Sequence, residues 1–253
     1  MNFMLKGNTL YRFFFYIFYH FILRSPLKNF YIFENFLKRE RKRIYIGKIK
    51  NVKIFFRFED IGILRDIFID KVYLVKKLKT YKTIVDVGAH IGGFSLFVIL
   101  NNPFVKKIIC IEPEKNNFKI LSKNLENLPK KIEVVTLRVA LSEKNFIGKL
   151  YLDEFSAAHS LERNKKSSYQ IVRIKTLDNI IKERVDLIKI DVEGFETKVI
   201  SGMKKIMRIY KPDLLIEAGH FKNEPLMISK YLKKAGYKPK ILIKKEPIIY
   251  ATS

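Results

Sequence analysis

Short apolar runs with the composition of buried β-strands alternate with segments of helical spacing from residue 48 to the end of the chain. The pattern predicts core strands at 83–87, 107–111, 132–139, 185–190 and 214–217, followed by a closing pair at 240–243 and 247–250. Strands that alternate with helices predict an α/β fold, a mainly parallel seven-stranded sheet with helices on both faces. In such a sheet, ligands bind at the carboxyl ends of the strands.

The connecting segments differ in their apolar faces. Residues 94–100 are apolar nearly all round, which predicts a buried helix, whereas Phe118, Leu121, Leu125 and Leu128 recur on one helical face. A further helix is expected at 67–75, before the first core strand, and another at 226–235. Short strands at 149–152 and 169–174 flank a polar insertion.

An acid and a glycine-rich bend follow the first core strand in the sequence VDVGAHIGGF. Its glycines are spaced G-x-x-x-G-G, which differs from the G-x-G-x-x-G turn of dinucleotide-binding proteins. Asp86 precedes the first glycine by two residues and would repel a pyrophosphate at that turn. S-adenosylmethionine carries no phosphate, and its ammonium and sulfonium groups are cations, so the acid favours this cofactor.

A second acid ends the next strand. Glu112 lies 24 positions after Gly88 and is followed by Pro113. A carboxylate at that place can accept hydrogen bonds from both ribose hydroxyls, as it does in NAD-binding proteins, so Glu112 alone does not separate the two cofactors.

Three later segments complete a recognisable order of motifs: TLD at 176–178, VDLIKIDVEGFE at 185–196 and KPDLLIEAGH at 211–220. Together with VDVGAHIGGFS and IEPEKNNFKILSKNL, they resemble the FkbM family of S-adenosylmethionine-dependent methyltransferases from about residue 60 to about residue 250. The resemblance implies a Rossmann-like class I methyltransferase fold. It also implies an acceptor hydroxyl on a sugar, a glycan or another secondary metabolite.

Several polar residues end predicted strands and are therefore expected along one rim of the sheet. The predicted cofactor-binding residues are Asp86, Gly88, Ala89, His90, Gly92, Glu112, Pro113 and Ala140. The predicted catalytic residues are Asp191, Glu193, Glu217 and His220. Methyl transfer to a hydroxyl needs an aligned oxygen and a proton acceptor, and any of these four side chains can accept a proton. His220 has the most suitable unperturbed pKa, whereas Asp191 and Glu193 can equally shape the loop by binding its backbone.

A metal ion bound by Asp191, Glu193, Glu217 and His220 is an alternative, because three carboxylates and an imidazole suit a hard or borderline cation. No metal-ligand spacing is visible locally, so we expect no metal. His159, with Ser156 and Ser160 beside it, lies in the polar insertion and is a candidate wall of the acceptor site.

The chain is strongly basic, with 50 Lys and Arg against 25 Asp and Glu and a net charge of +25. The electric field of such a charge attracts nucleic acid, anionic lipid and phosphorylated substrates. Alternatively, the charge reflects only a solvated, lysine-rich surface. An RNA methyltransferase is therefore an alternative, but no NPPY-like tetrapeptide follows the fourth strand and no RNA-binding motif is recognisable, so no specific nucleic-acid partner is predicted. The single cysteine, Cys110, cannot form an internal disulfide and suits the cytoplasm.

Residues 1–47 are expected to form an aromatic and basic helical arm, distinct from the predicted methyltransferase domain at 48–253. The aromatic run at 11–23 is too short to span a bilayer, and no small-residue cleavage site follows it. The arm could lie on a membrane surface, which would suit a lipid-linked acceptor, or pack as a lid on the domain or on a second subunit. We favour the lid and predict no oligomeric state.

Overall fold

The computed structural model describes residues 43–49, 52–126, 128, 131–152, 161, 168–243 and 245–253. They fall into two compact units that divide between Ile61 and Gly62. Most of the predicted arm lies outside the described residues, so its role as lid or membrane contact stays a prediction. No helix in the described ranges is long and apolar enough to cross a membrane.

The described part of the first unit is a two-stranded antiparallel ribbon. Strand β1 (Tyr45–Ile49) pairs with β2 (Val52–Phe56), and a single 3₁₀ turn follows at Phe58–Asp60. In that turn the Arg57 side chain binds the buried carboxylate of Asp60 at 3.0 Å. Strand β1 runs across residue 47, where the sequence pattern placed the end of the arm.

The second unit contains ten strands among its described residues. They are β3 (Thr83–Val87), β4 (Lys107–Ile111), β5 (Glu133–Leu137), β6 (Ala140–Leu141), β7 (Phe146–Tyr151), β8 (Tyr169–Lys175), β9 (Leu187–Ile190), β10 (Asp213–Glu217), β11 (Lys238–Ile243) and β12 (Pro247–Thr252). Seven of them form one sheet in the order β11-β12-β10-β9-β3-β4-β5. Strands β10, β9, β3, β4 and β5 are parallel, and β12 is antiparallel to both neighbours.

The helices of this unit connect those strands. They are α1 (Ile61–Phe68), α2 (Gly93–Asn101), α3 (Lys115–Leu125), α4 (Leu177–Ile180), α5 (Glu196–Ser201), α6 (Lys204–Ile209) and α7 (Glu224–Lys234). The central strands read IVDV, IICI and LIKI and are almost wholly buried, as expected where both faces of a parallel sheet are covered. The predicted α/β fold with a seven-stranded, mainly parallel sheet is confirmed.

Four local predictions need correction. The helix expected at 67–75 is α1 at Ile61–Phe68, because Leu64, Ile67 and Phe68 form its buried face and Lys71 has a φ of 53°. Helix α3 ends at Leu125, so Leu128 lies beyond it. The third core strand is shorter than predicted, and Ala140 does not end it. Ala140 begins β6, which pairs with β8 in a separate three-stranded sheet of order β6-β8-β7.

Candidate active site

A cavity lies at the carboxyl ends of the parallel strands, where the strand pattern predicted a ligand site. Its walls contain nine of the twelve predicted site residues: Gly88, Ala89, His90, Glu112, Pro113, Ala140, Asp191, Glu193 and Glu217. Among the described residues, Tyr73, Asn117 and Lys189 also line it. Asp86, Gly92 and His220 do not belong to these walls.

The glycine turn brings the end of β3 against the end of β9. Gly88 has a φ of 71°, and a Cβ there would lie only 1.7 Å from the carbonyl oxygen of Asp191. Glycine is thus required both by the backbone conformation and by the space. Gly92, with a φ of 87°, precedes α2, and a Cβ there would meet Leu121 at 2.9 Å, so Gly92 serves packing behind the turn.

Glu112 is held by backbone donors from two loops. Its Oε2 accepts a hydrogen bond from the amide of His90, and its Oε1 accepts one from the amide of Glu114, both at 2.9 Å. Burial raises the pKa of Glu112 to about 7, against the opposing effect of these hydrogen bonds. The two backbone hydrogen bonds thereby fix the carboxylate in the cavity wall.

Asp86 lies behind the turn rather than in the cavity wall. It is fully buried, and its Oδ2 accepts a hydrogen bond from the Ser95 hydroxyl at 2.7 Å. Its Oδ1 lies 3.4 Å from the Nζ of Lys189, which also donates to the carbonyl of Gly88 at 2.9 Å. The acid therefore supports the turn through Lys189 and makes no direct approach to the cavity.

Lys189 is the central cation of the site. Its side chain is 3% exposed, and Nζ lies 3.3 Å from the Oδ2 of Asp191. Burial alone would lower the pKa of Lys189, but the charges of Asp191, Asp86 and Glu217 raise it above its usual value. The lysine is consequently charged and holds the ends of β3 and β9 together.

Tyr73 reaches the acids from the segment before β3. Its hydroxyl lies 3.1 Å from the Oδ2 of Asp191 and 2.5 Å from the Oε2 of Glu217. The pKa of Asp191 is lowered, because the positive charges of Lys189 and His220 outweigh its burial. The charge of Asp191, together with burial, raises the pKa of Glu217 to about 7. Two neighbouring carboxyls thus hold protons with very different affinity.

His220 lies between two carboxylates outside the cavity wall. Its Nδ1 is 3.4 Å from Glu193, its Nε2 is 3.3 Å from Glu196, and its amide donates to Glu224 at 2.9 Å. Burial would lower the pKa of His220, but Glu196, Glu193 and Asp191 raise it to about 10. The ring is therefore an imidazolium near neutral pH and is less suited to accept a proton than Glu217.

The loop after β9 carries two consecutive residues with left-handed backbone. Glu193 has a φ of 54° and Gly194 a φ of 93°. Burial and the charge of Asp191 raise the pKa of Glu193 to about 8. This conformation places Glu193 on the cavity and Glu196, three residues later, in the core. Left-handed conformation in a non-glycine residue is costly and concentrates at functional sites.

A model of the methyltransferase FkbM domain matches residues 86–239, which are 154 of the 253 residues. The chain belongs to the FkbM methyltransferase family. Membership confirms the resemblance seen in the sequence, the enzyme class and the dependence on S-adenosylmethionine.

Two relatives place this FkbM methyltransferase among known proteins. Methyltransferase sdnD from Sordaria araneosa is 29% identical over 178 residues, which are 56% of this chain and 68% of that protein. The crystal structure of methyltransferase FkbM from Methylobacillus flagellatus KT is 18% identical, with a TM-score of 0.57 over 74% of this chain. The match spans only 47% of that crystal structure's chain, and the likeness concerns the fold.

The residues of the FkbM methyltransferase site fit the chemistry of S-adenosylmethionine. Gly88 lets the turn lie directly against the end of β9, and Glu112 presents a fixed carboxylate for ribose hydroxyls. The carboxylates of Asp191, Glu193 and Glu217 also line the cavity and suit a cofactor that carries an ammonium and a sulfonium group.

Sequence reasoning missed Tyr73, Lys189, Glu196 and Glu224. Lys189 could have been found from the sequence, because it interrupts an apolar strand that is followed by an acid. A lysine buried in such a strand needs a partner. The polar insertion with Ser156, His159 and Ser160 lies outside the described residues, so its role as a wall stays a prediction. Leu161, a described residue within it, lines the cavity.

Proposed function

We propose that this FkbM methyltransferase moves a methyl group from S-adenosylmethionine to a hydroxyl oxygen of a sugar, a glycan or another secondary metabolite. The acceptor class comes from the family resemblance. Support for oxygen as the acceptor atom comes from the chain itself, because an alcohol, unlike a neutral amine, must find a proton acceptor as the new bond forms.

The observation that carries the proposal is the pairing of Glu217 with Tyr73. The tyrosine has a single hydroxyl hydrogen, yet its oxygen lies within hydrogen-bond distance of both Glu217 and Asp191. Tyr73 donates to Glu217 when that carboxyl is ionised, and it can donate to Asp191 instead when Glu217 is protonated and donates to the Tyr73 oxygen. Because the pKa of Glu217 is about 7, this carboxyl exchanges a proton with an acceptor near neutral pH.

The proposed step needs four groups of the chain. The cofactor supplies an electrophilic methyl group on sulfur. Glu217, ionised and lining the cavity, takes the proton of the acceptor hydroxyl while the oxygen forms its bond to the methyl carbon. The carbon–sulfur electron pair stays with sulfur, so atoms and charges balance. Tyr73 and Asp191 orient Glu217, and Glu112 holds the ribose.

The test compares Glu217→Gln with the parent chain. We expect S-adenosylhomocysteine affinity to stay within about threefold while turnover falls about 100-fold or more, as for loss of a positioned base. Turnover is measured as radiolabelled methyl transfer to a panel that pairs each hydroxylated sugar with its amino counterpart. Glu183→Gln is the matched control, because Glu183 is an exposed partner of Lys107 outside the cavity wall.

Two results would contradict the proposal. Full turnover in a folded Glu217→Gln protein would remove the residue from the chemistry. Products that carry the methyl group only on nitrogen or carbon, identified by NMR of the methyl signal, would exclude O-methylation.

A further inference from the structure

We propose that Asp191, Glu196 and His220 bind one divalent metal ion beside the cavity, with Glu193 positioning the histidine ring. One ligand atom from each of the three residues lies within 4.8 Å of the other two. The site does not depend on the proposed hydroxyl acceptor. It replaces the expectation of no metal and contains Glu196, which the sequence pattern did not single out.

The spacing of these atoms fits a metal ion. Metal–ligand bonds of about 2.1 Å place neighbouring ligand atoms about 3.0–3.4 Å apart and opposite ligand atoms about 4.2 Å apart. The Nε2 of His220 lies 3.3 Å from the Oε1 of Glu196, as expected of neighbours. The three ligand atoms all lie within 4.8 Å of one another, so a small inward movement of the side chains would bring all three to one ion.

Among the three proposed ligand residues, two buried polar atoms have no hydrogen-bond partner in the described part of the chain other than carboxyl groups. Glu196 is fully buried, and its neighbour Glu224 can donate to it only when Glu224 is protonated. The Nε2 of His220 is also buried, and the oxygen that it faces at 3.3 Å, Oε1 of Glu196, already accepts a hydrogen bond from the amide of Val192. Buried polar atoms are nearly always satisfied, and one cation between this carboxylate and this nitrogen would satisfy both.

The charge of the cluster also favours a cation. Among the described residues, six carboxylates form a connected group with only two cations, Lys189 and His220. The carboxylates are those of Asp86, Asp191, Glu193, Glu196, Glu217 and Glu224. Each of these carboxyl groups that is ionised repels its ionised neighbours, and a divalent ion would offset that repulsion.

The second ring nitrogen of His220 has the partner that metal-bound histidines use. Its Nδ1 lies 3.4 Å from the Oε2 of Glu193, so a proton on Nδ1 points to a carboxylate while Nε2 faces Glu196. Metal-ligating histidines commonly donate their other N–H to a carboxylate in this way. A metal would occupy the place of the Nε2 proton, so the imidazolium and the metal-bound ring exclude each other.

The donor set selects the kind of metal. One imidazole nitrogen with two carboxylates suits Mn²⁺ or Zn²⁺ better than Mg²⁺ or Ca²⁺, which prefer oxygen ligands alone. Asp191 lines the cavity as well, so the metal lies next to the place where the acceptor is expected.

Calorimetry on the full chain, prepared without a histidine tag and stripped with a chelator, tests the proposal. We expect one equivalent of Mn²⁺ or Zn²⁺ to bind, and Glu196→Gln or His220→Gln to weaken it about 10-fold or more. Glu183→Gln is the matched control: it removes an exposed carboxylate outside the cluster and no ligand, so metal affinity should change less than about threefold.

A second measurement needs no change at the proposed ligands. The chain has four histidines, and replacing His20, His90 and His159 by Gln leaves His220 as the single imidazole. Substoichiometric Mn²⁺ should then broaden the ring signals of His220 in the NMR spectrum. Any of three results would overturn the proposal. They are His220 ring signals that stay sharp, equal metal affinity in the two ligand variants and the control variant, and no binding at about 1 mM metal.

Discussion

Replacing Lys189 by Met tests how the buried acids of the site are balanced. Methionine keeps most of the lysine stem but removes the charge that lies 3.4 Å from Asp86 and 3.3 Å from Asp191. It also removes the hydrogen bond to the carbonyl of Gly88. Because both Lys189 and Asp86 are almost completely buried, water does not replace the lost partner.

The expected loss is large on the scale of protein stability. Removing one member of a buried ion pair costs about 3–5 kcal/mol, because the remaining charge is left uncompensated. For a chain of this size, each kcal/mol lowers Tm by about 2–4 °C, so we expect a decrease of about 6–20 °C. Urea unfolding at pH 7.5 measures the free energy directly, provided that the slope of the transition is unchanged.

The stability lost in Lys189→Met should be smaller at acidic pH than at neutral pH. In the parent chain the folded-state pKa of Asp191 is lowered, so its contribution is present above the unfolded value and disappears only in acid. Without the lysine charge, burial dominates and raises the pKa of Asp191 in the folded state. As the pH falls, Asp191 of the folded variant takes up a proton and no longer carries an uncompensated charge. The difference in unfolding free energy between parent and variant should therefore be smaller at pH 5.5 than at pH 7.5.

Two further variants separate charge from packing. Lys107→Met removes a lysine whose partners, Glu133 and Glu183, are half-exposed, and it should change stability little. Asp86→Asn added to Lys189→Met should recover part of the loss, because the uncompensated charge is gone while a polar partner for Ser95 remains. A loss below about 1 kcal/mol for Lys189→Met, or strictly additive losses in the double variant, would refute this account of the buried charges.

Two more substitutions probe the cofactor and the base. Glu112→Gln should weaken S-adenosylhomocysteine binding by about 1–3 kcal/mol through loss of charge-assisted bonds. Since the pKa of Glu112 is about 7, affinity in the parent should rise between pH 6 and 8, and calorimetry that shows neither effect would count against a ribose contact. Tyr73→Phe removes a hydrogen bond that lowers the pKa of Glu217, so the rise of methyl transfer with pH should move to higher pH. A pH–rate profile that does not shift in Tyr73→Phe would show that Tyr73 does not influence the pKa of the base.

The sheet was readable from the sequence because its strands are apolar and short. The predicted runs at 83–87 and 107–111 match β3 and β4 residue for residue. Boundaries failed where packing rather than composition decides them. Helix α3 turns Asn117 and Asn124 inward, and the side chain of Asn124 donates to the carbonyl of Ile91. No rule of apolar spacing predicts a buried amide that satisfies a backbone carbonyl.

The candidate site was predictable in its location but not in its roles. The carboxyl ends of parallel strands meet at one edge, so the acids at 112, 191 and 217 were expected together, and they do line one cavity. Whether a strand-end acid faces the cavity depends on the alternation of side chains along the strand, since successive residues point to opposite faces. Asp86 precedes Val87 at the end of β3, and it is buried behind the turn.

Two of the residues that sequence reasoning missed have partners that are distant in the chain. Tyr73 lies 118 positions before Asp191 and 144 before Glu217, and Lys189 lies 101 positions after Gly88. Such a residue has no motif of its own, because its side chain is needed only where the fold places it. A buried carboxylate cluster nevertheless requires compensating donors and cations. The acid-rich strand ends of the sequence therefore implied that partners such as Tyr73 and Lys189 exist, and only the three-dimensional arrangement shows which residues they are.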